Sequence, residues 1–191
     1  MKNQKKQILP IEIEYKQNTV SFNEFERFYK QMDTQFVPAL SSYLDISAYI
    51  TKMYHNAELF EALGSERHLI GCVVCYANDD INKNSFITSV IVHPDFRGQH
   101  IAESLLKNCF SFLQDNGFKN VGLEVNKFNL PAQRLYKKLG FSFSVSSSAS
   151  SASLFLASKA ALKFLYILVS NSVQFVSSAD CLLLSSLLSK Y

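Results

Sequence analysis

The 191-residue chain has little of what several common functions require. Its four cysteines do not form a framework. Cys72 and Cys75 make a C-x-x-C, but they stand in Leu-Ile-Gly-Cys-Val-Val-Cys-Tyr, which reads as a buried strand. Three residues apart in a strand, their side chains face opposite sides, so neither a disulfide nor a shared metal is easy to build. Cys109 falls on the apolar side of a helical pattern, Cys181 stands apart in the C-terminal stretch, and no cluster has zinc-ligand spacing. No metal is expected. A basic stripe is also missing: 16 basic and 15 acidic residues nearly cancel before Ser142, so nucleic acid is not an expected partner. The polar start Met-Lys-Asn-Gln-Lys-Lys-Gln has no apolar signal-peptide core, which points to a cytoplasmic body. No internal repeat is visible.

With 48% apolar content the chain can bury one sizeable core, so one domain plus an appendage is expected. Ile11 to Glu14 alternates as a half-buried strand does. Ser21, with Glu24 three residues on, is a capping-box pattern that opens a helix through about Met32. Asp45 is placed as the N-cap of a second helix through about Asn56. Phe36, Tyr43, Tyr49 and Tyr54 in this region suit either a substrate-facing wall or ordinary packing. Glu58 to Leu63 and His68 to Tyr76, joined by Gly64-Ser65-Glu66-Arg67, predict an antiparallel hairpin. Ser85 to Val92 predicts another strand, and the spacing of Ile101, Leu105, Cys109, Phe112 and Leu113 a helix ended by Asn116-Gly117. Val121 to Val125 is a short strand. Leu130-Pro131 opens a helix that Gly140 ends, and Phe141 to Val145 starts a last strand. The order β-α-α-β-β-β-α-β-α-β implies an α+β fold with a mixed, mostly antiparallel central sheet.

Two stretches carry chemistry. From Ser89 to Glu103 a β-branched run stops at His93-Pro94, a turn carries Arg97-Gly98, and a helix begins near Ile101. Strand, tight turn and helix N-terminus together make an anion cradle, since free backbone N–H groups and the helix dipole face the turn. The second stretch is Leu123-Glu-Val-Asn-Lys-Phe-Asn129 running through Ala132, Leu135 and Tyr136 to Gly140-Phe141. The first resembles the acetyl-CoA-binding motif of the GCN5-related N-acetyltransferases, in which a V-x-P turn leads to an (R/Q)-x-x-G-x-(G/A) loop. The second resembles that family's N-x-x-A-x-x-L-Y-x-K-x-G-F signature. Both lie in order and at family spacing, and the resemblance covers roughly Ile11 to Val145. The catalytic stretch is most similar to the ribosomal-protein N-terminal acetyltransferases.

The resemblance implies a GNAT-like fold and an acetyl-CoA-dependent N-acetyltransferase that hands an acetyl group to a primary amine in a ternary complex. Acetyl-CoA is then a cosubstrate, and the partner is a small-molecule or peptide amine. The pyrophosphate would meet Arg97, Gly98, Gln99, His100, Ile101, Ala102 and Glu103, largely through backbone amides. The pantetheine arm would run along Val90, Ile91 and Val92, and Asn129 would contact the cofactor. Tyr136 is implied as the general acid that protonates the departing thiolate, and Glu124 as the base. His100 stands where the family has glycine, so the direction of its ring decides whether it clashes, helps or stays out of the way.

After Phe143 the composition changes. Residues 142–191 hold 16 serines, against 9 in the preceding 141, and four charged residues: Lys159, Lys163, Asp180 and Lys190. We therefore expect a domain over 1–145 and an atypical tail over 146–191. The tail has three readings. As a membrane span it is short of about 20 residues, and its lysines would each cost about 2.5–3.5 kcal/mol at a bilayer centre. It also suits an interfacial helix, or an ending that is not the native one, such as a shifted reading frame. The rivals to an acetyltransferase are a CoA-binding module without transferase activity, favoured by His100 and by the missing final strands, and a membrane-tethered acetyltransferase anchored by the tail.

Overall fold

A computed structural model describes residues 12–126, 128–144 and 153–158. The expectations placed on Ile11, on Cys181 and on the rest of the tail lie outside these residues. In chain order the elements are β1 (Glu14–Gln17), α1 (Phe22–Met32), α2 (Ile46–Asn56), β2 (Glu58–Leu63), β3 (Leu69–Tyr76) and β4 (Asn84–Val92). They continue with α3 (Ile101–Asp115), β5 (Asn120–Asn126), α4 (Leu130–Lys138), β6 (Phe141–Ser144) and β7 (Ser153–Ser158). One seven-stranded sheet runs in the order β1-β2-β3-β4-β5-β7-β6. Only β4 and β5 pair in parallel; the other neighbours are antiparallel. This is the expected mixed α+β sheet.

The local signals act much as their chemistry predicts, with two corrections. Ser21 Oγ accepts the Glu24 amide at 3.3 Å, and Asp45 Oδ1 accepts the Ser47 and Ala48 amides at 3.0 and 3.1 Å. The capping box is only half made, however. The Glu24 carboxylate accepts the Leu69 amide at 2.9 Å, tying α1 to the start of β3 instead of closing on its own helix. The first strand also sits later than expected, at Glu14–Gln17, because pairing with Leu63 to Phe60 of β2 sets its register. A short alternating segment satisfies its backbone only where a neighbour exists.

The two faces of the sheet carry separate cores. On one, α3 and α4 pack Ile101, Leu105, Leu106, Cys109, Leu113 and Tyr136 against Phe60, Val73, Cys75, Ile87, Leu123 and Val125. On the other, α1 and α2 pack Phe25, Tyr29, Ile50 and Met53 against Leu59, Cys72, Val74 and Ile91. Cys72 and Cys75 thus face opposite layers as free buried thiols, as strand alternation requires. Each fully buried large apolar side chain contributes about 1.5–3 kcal/mol over leaving it in water.

The feature that positions the site is a split in the sheet. β4 and β5 pair only from Asn84↔Asn120 to Ile87↔Leu123. Beyond that, Glu124 to Asn126 pair with β7, while β4 continues to Val92 along β3. The split begins at an irregularity. Val74 pairs with Ser89 and Cys75 with Ile87, which leaves Thr88 as an extra residue in β4. An extra residue bends its strand and strengthens the local twist, so β4 turns away from β5 at Thr88. β7 supplies the strand that the sequence did not reveal. It comes from Ser153–Ser158, beyond the expected domain end at Val145, and lies between β5 and β6.

Candidate functional site

The turn after β4 is built around positive backbone dihedrals. Pro94–Phe96 form one 3₁₀ turn whose entry is capped by His93, and Arg97 leaves it extended. Gly98 follows at φ 78°, a conformation side-chain-bearing residues rarely adopt, with open space where a Cβ would go. Its need for glycine is conformational. His100 then adopts φ 59° and ψ 14° as the N-cap of α3, the left-handed conformation that costs a residue with a Cβ about 1–2 kcal/mol. This explains why glycine suits the position. The His100 ring turns outward, with its side chain 77% exposed and Nδ1 3.3 Å from Glu103 Oε2. With the ring turned away, the backbone amides from Gly98 to Glu103 are what the turn can offer an anion. The first-turn amides of α3 have no partner within their own helix. Gln99 is exposed, and Ala102 packs against the core. Ile101 is 2% exposed, which leaves only its amide for a ligand.

Arg97 lies folded back. Its Nε donates to the Val92 carbonyl at 3.1 Å and its Nη2 to Gln35 Oε1 at 3.1 Å. The connection between α1 and α2 thus reaches the turn at one end. At the other, Asn126 Nδ2 donates to the Val37 carbonyl at 3.3 Å, at the end of β5. Both walls of the split are held by one loop. Along β4, Ile91 sits in the α1–α2 core, while Val92 and Val90 pack toward the α3–α4 core, so only their backbone is available to a ligand in the split.

Tyr136 and Glu124 lie on opposite faces of the sheet. Tyr136 is 6% exposed in the α3–α4 core, with its ring 5.8 Å from that of Phe141 in an edge-on contact. Burial pushes its hydroxyl pKa up to about 12. Glu124 alternates with the buried Leu123 and Val125, which places it on the α1–α2 side of the sheet. Solvent reaches it, yet enough protein surrounds the carboxyl that desolvation raises its pKa above the ordinary value. Exposure combined with crowding describes a group in a recess rather than on a flat face. Asn129 is the N-cap of α4, where its Oδ1 accepts the Ala132 amide at 3.2 Å. Its side-chain amide N–H groups remain the part that can face a ligand.

The sequence profile of the Acetyltransferase (GNAT) family matches residues 23–141, more than half of the chain. The chain belongs to the GNAT acetyltransferase family. A Bacillus subtilis protein with the provisional name ribosomal protein bS18-alanine N-acetyltransferase is 35% identical over 74 residues, 38% of this chain and 46% of that protein. Human N-acetyltransferase 8B is 32% identical over 97 residues, 48% of this chain and 43% of its own. The chain thus spans less than half the length of these curated relatives. Among solved structures, the Escherichia coli ribosomal-protein-S18-alanine N-acetyltransferase superposes with a TM-score of 0.60 at 16% identity, covering 81% of this chain and all of that one. A Thermoplasma acidophilum N-acetyltransferase in complex with coenzyme A gives 0.57 at 16% identity, with 77% and 98% covered. At these identities the superpositions establish the GNAT fold.

Thr88, Tyr29, Ser89 and Glu61 carry polar contacts that the sequence does not announce. Tyr49 Oη and Thr88 Oγ1 are 3.0 Å apart at the extra residue where β4 departs. Tyr29 donates to Ser89 Oγ at 2.8 Å, a buried bond from α1 to β4, and burial raises the Tyr29 hydroxyl well above its usual pKa. Of the aromatic residues read as wall or packing, Tyr54 is packing: it meets Phe22 and Phe25 and donates to the Val20 carbonyl. Tyr49 instead borders the split. Glu61, fully buried, accepts the amides of Thr19 and Val20 and the Thr19 hydroxyl. The available signal was a carboxylate in the middle of an apolar run, between Leu-Phe and Ala-Leu of β2. Among the described residues, no helix is long and apolar enough to cross a membrane, and no group of three or more His, Cys, Asp or Glu could hold a metal ion.

Proposed function

We propose that this chain is an acetyl-CoA-dependent N-acetyltransferase that acetylates a primary amine by direct transfer in a ternary complex. The observation that carries this reading is the split between β4 and β5. It lies between the strand that leads into the turn of Gly98 to Glu103 and the strand that carries Glu124, and Tyr136 of α4 lies on the opposite face of the sheet from Glu124. The cofactor's chemistry fits what is there. A pyrophosphate suits amides at a positive helix end, and a chain of amides such as pantetheine suits the strand edges of Val90 to Val92. Asn129 would hold the thioester arm through its Nδ2.

The amine enters from the α1–α2 side, where Glu124 takes a proton from its ammonium form directly or through water. The freed nitrogen attacks the thioester carbonyl. A C–N bond forms as the C–S bond breaks, Tyr136 Oη delivers a proton to the departing thiolate, and the proton shed by the acylated nitrogen returns through water to the tyrosinate. With its pKa near 12, Tyr136 holds its proton throughout the neutral range and so serves as an acid rather than a base. An ordinary thiol titrates near 8.5, but a thiolate released in the same desolvated slot is raised by the same burial, which narrows the gap for transfer.

The acceptor is a small amine or a peptide N-terminus. The relatives' names include both kinds, a streptothricin acetyltransferase and a ribosomal-protein alanine N-acetyltransferase. A cytoplasmic setting suits the reading, since the three described cysteines are buried free thiols. Titration calorimetry with acetyl-CoA and a thiol-release assay over an amine panel test it. Replacing Tyr136 with Phe should lower kcat by roughly 10²–10⁴-fold while leaving acetyl-CoA affinity near wild type. Equal turnover would remove Tyr136 as the acid, and no cofactor binding at millimolar concentration would remove the activity altogether.

A further inference from the structure

Glu103 stands in the first turn of α3 and gathers two lysines and a histidine. Its Oε2 lies 2.7 Å from Lys138 Nζ and 3.3 Å from His100 Nδ1, and its Oε1 lies 3.0 Å from Lys107 Nζ. The arrangement is layered. The Glu103 side chain is 12% exposed, whereas Lys107, Lys138 and His100 are 63, 60 and 77% exposed. One inner carboxylate thus holds a ring of cations that faces solvent.

The charge does not balance. Two lysines on one carboxylate leave a net positive charge, and a protonated His100 would add to it. Glu103 and Lys107 lie in the first two turns of α3, whose N-terminal end is itself positive and ordinarily favours acidic neighbours, and Lys138 reaches the same place from the last turn of α4. Other ion pairs among the described residues do not behave this way. Lys30 with Glu26 and Lys83 with Asp80 each match one cation to one carboxylate. Positive charge collected at a positive helix end is a poor way to stabilise a fold and a good way to hold an anion.

The cluster adjoins the cradle assigned to the pyrophosphate, because His100 belongs to both. Coenzyme A carries a second anionic group, the phosphomonoester on the 3′-oxygen of its ribose, with a charge of about −1.5 to −2 at neutral pH. Amides suffice for a pyrophosphate lying against the backbone. A phosphate further out needs side chains that reach into solvent. Each lysine has three donor hydrogens, of which its contact with Glu103 uses one, so both can grip a phosphate without releasing the carboxylate. We infer that Lys107 and Lys138, held in place by Glu103, form the seat of the 3′-phosphate and make the protein selective for coenzyme A over its 3′-dephospho form.

The inference rests on the acetyl-CoA reading above, and one set of titrations separates the two. Acetyl-CoA and 3′-dephospho-acetyl-CoA are titrated calorimetrically into the wild type, Lys107→Ala, Lys138→Ala and the double variant. Because both lysines are mostly exposed, circular dichroism should show an intact fold in each. The wild type should prefer acetyl-CoA by roughly tenfold or more, the range of hydrogen bonds to a charged group. Each substitution should weaken acetyl-CoA and leave the dephospho form nearly unchanged, so that the preference collapses in the double variant. Equal binding of the two cofactors by the wild type would overturn the subsite alone. So would lysine variants that weaken both cofactors in parallel. Wild-type protein that bound neither would remove the acetyltransferase reading and the subsite with it.

Discussion

At Glu124, the base of the proposed reaction, the requirements of that chemistry and of folding would be opposed. Desolvation raises its carboxyl pKa, so the folded state favours the neutral form. That preference is satisfied below the ordinary carboxylate range and lost as pH rises through the raised value, which leaves the charged form costly at neutral pH. Glu124→Gln should therefore melt at a higher temperature than the wild type at pH 7–8 while losing most of its turnover. The gap in melting temperature should close as pH falls below about 4. A gap independent of pH would mean that the carboxyl is not desolvated in the fold. His100 gives a second test, through its backbone. Glycine there relieves the left-handed conformation but adds entropy to the unfolded chain, so His100→Gly should gain less than about 1 kcal/mol. His100→Val, with a branched Cβ at φ 59°, should lose stability outright in urea melts. The sequence motif placed His100 at a glycine position, but no residue pattern gives the direction of an exposed ring. Its partner Glu103 decides that.

At the scale of elements, caps and breakers were legible because they act within a few residues. Ser21 and Asp45 each accept an amide two or three residues on, and Gly140, at φ 90°, follows the end of α4; the cap at Asn129 went unread behind its resemblance to a cofactor contact. Contacts between elements were not legible. Glu24 was read as half of a box closing on its own helix and instead reaches the Leu69 amide, 45 residues away. Glu61 went unread because a carboxylate in an apolar strand signals nothing until the amides that it accepts are in place. Those amides belong to Thr19 and Val20, where the chain passes from β1 into α1. Glu61→Ala would leave the buried Val20 amide without its acceptor, at about 1–3 kcal/mol. We expect a clear fall in the urea midpoint and earlier hydrogen exchange in α1 than in α3. Uniform loosening of both helices would contradict the anchoring role.

On the scale of the whole molecule, the strand and helix order could be read from the sequence, whereas the place of the last strand could not. β7 enters between β5 and β6, so its pairing depends on two partners well before it in the chain. Its text, Ser-Leu-Phe-Leu-Ala-Ser, lies in a stretch whose composition reads as a tail. The split was equally hidden, since it depends on one extra residue, Thr88, in a register that only the β3 partner defines. That split has a consequence for how the protein endures in a cell. From Thr88 to Val92, the edge of β4 turned toward β5 has no strand against it among the described residues, so the sheet is complete only when a guest lies there. A guest that binds the folded chain alone adds RT ln(1 + [L]/Kd), or about 2.7 kcal/mol at a hundred times its dissociation constant. Acetyl-CoA should therefore raise the melting temperature and slow deuterium uptake along Val90 to Val92 more than at β1. On the proposed function, acetyl-CoA would then act as part of the protein's scaffolding as well as its reagent, and a shortage of it would shorten the protein's survival against proteases before it limited the reaction.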